Sequence, residues 1–122
     1  MKLINSTIEG TTIIFEFEGG QILKARDWGA GSKAWFLMGN YHREDGPAAE
    51  YTNGTKEWYL NGKYHREDGP AFEGSNGDKA WYLMGNLHRE DGPAIELSNG
   101  DKAWFLMGKK LTEAQFNQQK PK

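Results

Sequence analysis

The stretch "WYLNGKYHREDGPA" occupies positions 58–71 of this chain, and near copies of it occur on both sides. "WFLMGNYHREDGPA" occupies positions 35–48, and "WYLMGNLHREDGPA" occupies positions 81–94. Each copy begins 23 residues after the one before, and Trp104 continues the series. A fixed period of this length is the signature of a tandem array, in which one supersecondary unit is stacked on the next.

Each unit contains two turn signals. In the central unit, Asn53-Gly54 and Asn61-Gly62 lie between short runs that contain Tyr and Trp. Asn-Gly in this setting predicts a hairpin with a type I′ turn, because both central residues of that turn need positive φ. The second turn of the other copies is Met-Gly, at positions 38/39, 84/85 and 107/108. Met tolerates positive φ poorly, so Met-Gly favours a type I turn with a glycine bulge, and the cross-strand register stays open by one residue.

The two ends of the array depart from the repeat. Residues 1–30 match the later units only in part, and we expect them to cap the N-terminal end of the sheet. After Leu111, Thr112 and Gln115 have the spacing of a capping box, which predicts a short helix over 112–119 with Phe116 packed on the last hairpin. Such a helix would cover the edge of the last strand.

The predicted fold is therefore all-β, an elongated single-layered array of antiparallel hairpins with two strands in each 23-residue unit. We expect one domain over 1–122, with a degenerate cap at 1–30, repeats at 31–111, and a helical cap and tail at 112–122.

Composition limits the classes of function. The formal net charge of −2 and the pI of about 5.9 argue against general binding of nucleic acid or anionic membrane. The absence of Cys excludes disulfides, thiolate chemistry and Cys-based zinc sites. No apolar run is long enough for a signal peptide or a membrane span, so we expect a cytoplasmic protein. We also expect it to be a monomer or a weak dimer. Aromatic residues make up 13% of the chain, and we expect them to form the core.

The HREDGPA segment contains acids, bases and metal-ligand types, but its spacing favours a structural role. Equivalent histidines, His42, His65 and His88, lie one two-strand unit apart, or ~9–10 Å, which is too far for one zinc ion. One carboxylate in each Ser-Asn-Gly-Asp turn is too few for calcium. We expect no metal and no cofactor, and a hydrolase that uses these loops is the least favoured hypothesis.

In the structural interpretation, the HREDGPA segment forms the connection between units. Its Gly is expected at positive φ, and its Pro ends the strand ladder. The His is expected to pack on the neighbouring Trp, and the Arg to pair with a Glu.

Two aromatic rows run across the predicted sheet, because adjacent residues of a strand face opposite sides. One row contains Trp35, Trp58, Trp81 and Trp104, which we expect in the core. The other is predicted to bind a partner and contains Phe36, Tyr41, Tyr59, Tyr64, Tyr82, Leu87 and Phe105. Which of the two faces is exposed stays open, because sheet curvature could fold either row inward.

The unit "KEWYLNGKYHREDGPAFEGSNGD" resembles a MORN repeat, and more closely the MORN-variant arrays built on HR-x-DGPA in small bacterial and phage proteins. The resemblance covers residues 31–111, and it implies an elongated meander of hairpins with a scaffolding or protein-interaction function. Lipid binding is proposed for some members, but Arg43, Arg66 and Arg89 stand where MORN units usually have Gly, so properties of that position do not transfer. The leading hypothesis is a small inhibitor or adaptor that occludes a protein surface, and the alternative is a carbohydrate- or nucleotide-binding protein that uses stacked aromatics.

Overall fold

The computed structural model describes residues 2–10, 12–18, 22–27 and 31–119, so parts of the predicted N-terminal cap and the tail at 120–122 lie outside the described residues. The described part forms antiparallel hairpins in a long sheet, followed by one short helix, which confirms the predicted fold class. The strands are β1 (Leu3–Glu9), β2 (Thr12–Phe17), β3 (Ile22–Asp27), β4 (Lys33–Leu37), β5 (Asn40–Tyr41), β6 (Ala49–Glu50), β7 (Lys56–Glu57), β8 (Tyr59–Leu60), β9 (Lys63–Tyr64), β10 (Phe72–Glu73), β11 (Lys79–Ala80), β12 (Tyr82–Leu83), β13 (Asn86–Leu87), β14 (Ile95–Glu96), β15 (Lys102–Leu106) and β16 (Lys109–Leu111), and the helix is α1 (Glu113–Gln119).

Each repeat contributes to two ladders of strands rather than to one. The main ladder runs in the order β1-β2-β3-β4-β6-β7-β10-β11-β14-β15-β16. The second ladder lies beside it and consists of the β4–β5 pairing and the hairpins β8–β9 and β12–β13. Further backbone hydrogen bonds join these hairpins, such as Arg66 N to Tyr82 O (3.1 Å) and Gly85 N to Tyr64 O (2.8 Å). Trp58 lies where the chain passes from the first ladder to the second, since its N donates to Ala71 O and its O accepts from His65 N.

Opposite charges lie next to one another along the main ladder. Lys and Glu are Cα partners across six successive strand pairs: Lys33–Glu50, Glu50–Lys56, Lys56–Glu73, Glu73–Lys79, Lys79–Glu96 and Glu96–Lys102. Opposite charges directly across a strand pair are favourable, whereas a slip of one residue would turn each strand over. The short strands of this array therefore have one preferred alignment.

The second turn of each unit is a type I′ turn, including those with Met. Met38 and Gly39 have φ of 51° and 84°, and Met84 and Gly85 have φ of 46° and 85°, which matches Asn61-Gly62. The bulge predicted for Met-Gly was wrong. The register is consequently the same in every copy, with two residues between the paired strand ends.

The first turn of the central unit, at Asn53-Gly54, has a different geometry. Among the residues of the central loop, only Gly54 has positive φ, at 96°, and its N donates to Tyr51 O at 2.9 Å while Tyr51 N donates to Thr55 O. This is a type I turn followed by a glycine bulge. The type I′ prediction was therefore wrong at Asn53-Gly54, and Asn53 instead accepts a hydrogen bond from Thr55 N through Oδ1 at 2.9 Å.

The most deeply buried side chains are small, so the prediction of an aromatic core was wrong in this respect. Ala34, Ala48, Ala49, Ala71 and Ala94 are fully buried, while all four tryptophans of the Trp row are half-buried. Three of these alanines, Ala48, Ala71 and Ala94, end the HREDGPA segments, and the carbonyl oxygen of each accepts a hydrogen bond from the Trp N of its unit.

The two ends of the array are finished differently. At the C-terminal end the predicted capping box is present, with Thr112 N donating to Gln115 Oε1 at 2.9 Å and Gln115 N donating to Thr112 Oγ1 at 3.1 Å. Phe116 is 3% exposed, and α1 contacts β15 and β16, which confirms the predicted helix.

At the N-terminal end β1 is the outermost strand, and all seven of its residues are exposed. Among the described residues, no helix is long and apolar enough to cross a membrane.

Candidate functional site

The predicted aromatic row forms a continuous stack along the second ladder. Successive ring centroids lie 4.7 Å apart for Phe36–Tyr41, 5.0 Å for Tyr41–Tyr59, 4.5 Å for Tyr59–Tyr64 and 4.8 Å for Tyr64–Tyr82, with interplanar angles of 22–30°. Cross-strand pairs such as Phe36–Tyr41 and Tyr59–Tyr64 alternate with contacts between neighbouring hairpins. The five rings thus join three repeats on one face.

Leu87 and Phe105 continue the same row by backbone register. Leu87 is the Cα partner of Tyr82, and Phe105 O accepts from Arg89 N at 3.2 Å, which places it where Tyr82 stands relative to Arg66. All seven residues predicted to bind a partner are half-buried. The strongly exposed large apolar side chains of the described residues lie elsewhere, at Leu3, Ile4, Ile8, Ile13, Met38, Met84, Leu97 and Met107.

One carboxylate lies beneath the stack. Glu57 accepts hydrogen bonds from Tyr51 Oη at 2.9 Å, from Tyr59 Oη at 3.4 Å and from Tyr64 Oη. Burial, followed by the bond to Glu57, raises the pKa of Tyr51 and of Tyr64 well above the usual value, and burial also raises the pKa of Tyr59. The three hydroxyls therefore hold their protons and tie the stack to the main ladder.

Sequence reasoning did not single out Glu57 or Tyr51. The signal was available, because Glu57 precedes its Trp where the other units have Ala34, Ala80 and Ala103. A departure from the repeat at a position that faces the stack marks the central unit as different from its neighbours.

On the opposite face, an Arg of each HREDGPA segment lies over a Trp ring. The distance from Cζ to the ring centroid is 4.0 Å for Arg43 on Trp35, and 3.9 Å for both Arg66 on Trp58 and Arg89 on Trp81. The structure thus places Arg where we expected His. The expected pairing of Arg with Glu is present, since Nη1 lies 3.7 Å from Glu73 in Arg66 and 3.4 Å from Glu96 in Arg89. Asp68 is a nearer partner that was not predicted, with Oδ1 2.9 Å from Arg66 Nε.

The Gly of HREDGPA leaves space for the Arg side chain and is not needed for its φ. Gly46, Gly69 and Gly92 do not have positive φ, so that prediction was wrong. A Cβ at Gly69 would lie 2.8 Å from Cζ of Arg66, and one at Gly46 would lie 3.0 Å from the same atom of Arg43. The absent side chain lets the guanidinium rest against the backbone, where Nη1 of Arg66 also donates to Pro70 O at 3.1 Å.

The histidines link consecutive units. Nδ1 of His65 accepts a hydrogen bond from Met84 N at 2.9 Å, 19 residues further along, and His42 and His88 accept in the same way. Because Nδ1 accepts, the proton of the neutral ring is on Nε2, which faces Glu67 at 3.9 Å. In this tautomer neither nitrogen has a lone pair available for general-base chemistry.

Shallow clefts separate successive HREDGPA segments. Two of them, of about 560 and 570 Å³, lie over Trp58 and Trp81 and are bounded by the segments on either side. No group of three or more His, Cys, Asp or Glu side chains in the described part of the chain is arranged to hold a metal ion. No protein-family model, curated protein or solved structure matches this chain.

Proposed function

We propose that this protein is a protein-interaction module that binds its partner along the aromatic row. The observation that carries the proposal is the stack itself: five rings in contact across three repeats form a surface that follows the array rather than a pocket. Half-buried aromatic side chains that are already ordered lose little conformational entropy on binding, and they supply much of the energy at protein interfaces.

The resemblance to MORN-variant arrays supports the same proposal. On this basis the protein acts in the cytoplasm, as a small inhibitor or adaptor of bacterial or phage origin that covers a surface of its partner. The pairing of the rings favours a protein over a sugar or a base, because faces stacked at 4.5–5.0 Å are occupied by one another and present mainly their edges to a ligand.

The test is a pair of matched double variants at two positions of the row, Tyr59 and Tyr82. Tyr59→Ser/Tyr82→Ser removes two rings, whereas Tyr59→Phe/Tyr82→Phe keeps both rings and removes only the hydroxyls. Each variant is used as bait in a quantitative pull-down, and the recovered partner is then titrated by calorimetry. We expect the Ser variant to weaken binding by ~2 kcal/mol or more per ring, and the Phe variant to bind within a few fold of the parent.

Stability and an opposite-face variant serve as controls. Melting temperatures establish that each bait is folded, and Tyr82→Ser alone is the milder variant, since Tyr82 is the last ring of the stack. Glu67→Gln/Glu90→Gln changes only exposed loop carboxylates on the other face. A partner that is lost with the loop variant and retained by the folded Ser variant would contradict the proposal, as would a sugar or nucleotide that raises the melting temperature only when the rings are present.

A further inference from the structure

The N-terminal edge of the sheet carries several exposed apolar side chains. In β1, Leu3 is 50%, Ile4 62% and Ile8 73% exposed, and Ile13, the cross-strand partner of Ile8, is 39% exposed. At the other end of the sheet, α1 packs on the last two strands. A sheet edge that carries exposed apolar side chains is a ready site for pairing with another strand.

The hydrogen-bonding pattern of β1 shows which backbone groups face outward. Glu9 and Thr12 are Cα partners with two residues between them, so they are the hydrogen-bonded pair that closes the hairpin. Hydrogen-bonded and non-hydrogen-bonded pairs alternate along an antiparallel ladder, which turns the backbone groups of Thr7 toward β2. The N–H and C=O groups of Ser6 and Ile8 therefore point to the open edge, and the irregularity between Leu3 and Asn5 ends the regular part.

We propose that two copies of this chain associate through antiparallel pairing of β1 with β1, about a two-fold axis at Thr7. In this register Ser6 of each copy is the hydrogen-bonded partner of Ile8 of the other, so the outward backbone groups of both strands are satisfied. Thr7 lies opposite Thr7 of the second copy, and Asn5 lies opposite Glu9.

The side chains suit this arrangement on both faces of the extended sheet. Ile8 of the two copies are diagonal neighbours, within ~7–8 Å, so with both Ile13 side chains they form one apolar cluster across the axis. The other face brings together Thr–Thr and Asn–Glu pairs, which are compatible polar neighbours. Because the two-fold pairing uses the same β1 edge of both copies, the assembly closes as a dimer and does not grow into a fibre.

A second copy of the chain is the favoured partner of the β1 edge, because this edge is complementary to itself. A two-fold rotation at Thr7 places the outward backbone groups of each copy opposite those of the other. The contact involves one short strand from each copy and falls below the ~1,200 Å² of a stable interface, so we expect a dissociation constant in the micromolar range or weaker. Sedimentation at increasing concentration should show the mass rise from 13.8 kDa toward twice that value. Ile8→Lys, which places a charge in the apolar cluster, should keep the chain monomeric.

A single introduced cysteine tests the register directly, since the chain has none of its own. Residues paired without hydrogen bonds have Cα atoms ~4.5 Å apart, which is within the range of a disulfide. Mild oxidation of Thr7→Cys should therefore give a covalent dimer. The matched control is Asn5→Cys, whose partner in the other copy is Glu9 rather than another Cys, and it should remain mostly monomeric.

Each outcome is decisive once circular dichroism shows that the reduced variants are folded. Rapid dimer formation by Thr7→Cys together with little by Asn5→Cys supports the pairing. Equal cross-linking of the two variants, or a parent protein that stays monomeric at millimolar concentration, would overturn it. The test does not involve the aromatic row, so its result is independent of the proposed partner site.

Discussion

The contact between Arg66 and Gly69 leads to a prediction about non-additive mutations. Arg66→Ala removes a cation–π contact with Trp58 worth ~0.5–1 kcal/mol and a part-buried hydrogen bond to Pro70 O worth ~1.5 kcal/mol. Its ion pair with Asp68, whose carboxylate is 87% exposed, adds only a few tenths. We therefore expect the free energy of unfolding to fall by about 2–3 kcal/mol.

Gly69→Ala should act through the same guanidinium. Its φ does not require glycine, but the new Cβ would lie 2.8 Å from Cζ of Arg66 and would displace that side chain from its contacts. The free energy of unfolding should fall by at most the ~2–3 kcal/mol expected for Arg66→Ala. In the double variant the space is already empty, so the second substitution should add almost nothing.

Urea denaturation followed by circular dichroism measures all three variants. The expected result is a double variant within ~0.5 kcal/mol of Arg66→Ala alone, which is a coupling energy of about 2 kcal/mol. Additive effects would refute the argument, because they would mean that Gly69 is needed for a reason other than the room it leaves for Arg66. Arg66→Lys keeps the charge without the planar fork and should recover less than half of the loss.

The remaining predictions concern other single contacts. His65→Ala should lower the free energy of unfolding by about 1–2 kcal/mol in urea denaturation, because Met84 N loses its acceptor; an unchanged midpoint would contradict this role. Met84→Asn should stabilise the protein by ~0.5–1 kcal/mol, since φ is 46° there and Asn adopts such values more readily; destabilisation would count against the type I′ assignment. Burial and Glu57 raise the pKa of Tyr64, so the contribution of this side chain to stability should be constant below about pH 10 and decrease above it, by at most ~1.4 kcal/mol per pH unit. In a Tyr41→Phe/Tyr82→Phe background, phenolate absorbance should then appear together with unfolding, and a titration near pH 10 in that folded variant would contradict this. Truncation before α1 removes Phe116 and uncovers β16, so light scattering should detect species larger than a dimer; a truncated chain no larger than the parent would argue against the capping role.

The repeat made much of the architecture predictable. A period of 23 residues with two turn signals per unit determined an antiparallel hairpin array, because the same local pattern must recur with the same local structure. The capping box at Thr112 likewise determined the helix, since its hydrogen bonds are made between residues three apart in the chain. The aromatic row followed from side-chain alternation along a strand, and its rings lie together as that alternation requires.

The tertiary structure decided what depends on the alignment of strands. Pairing of Lys56 with Glu50 leaves five residues between them, and the hydrogen bond from Tyr51 N to Thr55 O encloses a three-residue loop that takes a type I turn with Gly54 at the bulge. Two-residue loops, in contrast, impose positive φ even on Met84. Loop length, and not the residues of the turn alone, therefore selected the turn type.

The role of Gly69 also depended on a contact in space. Glycine in a turn predicts positive φ from sequence, but here its hydrogen side chain admits a guanidinium that stacks on Trp58, and no local pattern encodes that neighbour. In the same way, Trp35, Trp58 and Trp81 each donate to an Ala O and accept from a His N, and this passage between two sets of hydrogen bonds depends on the alignment of strands. Sequence determined which elements form and how often they recur, and packing between units decided the turns, the buried residues and the face to which each side chain belongs.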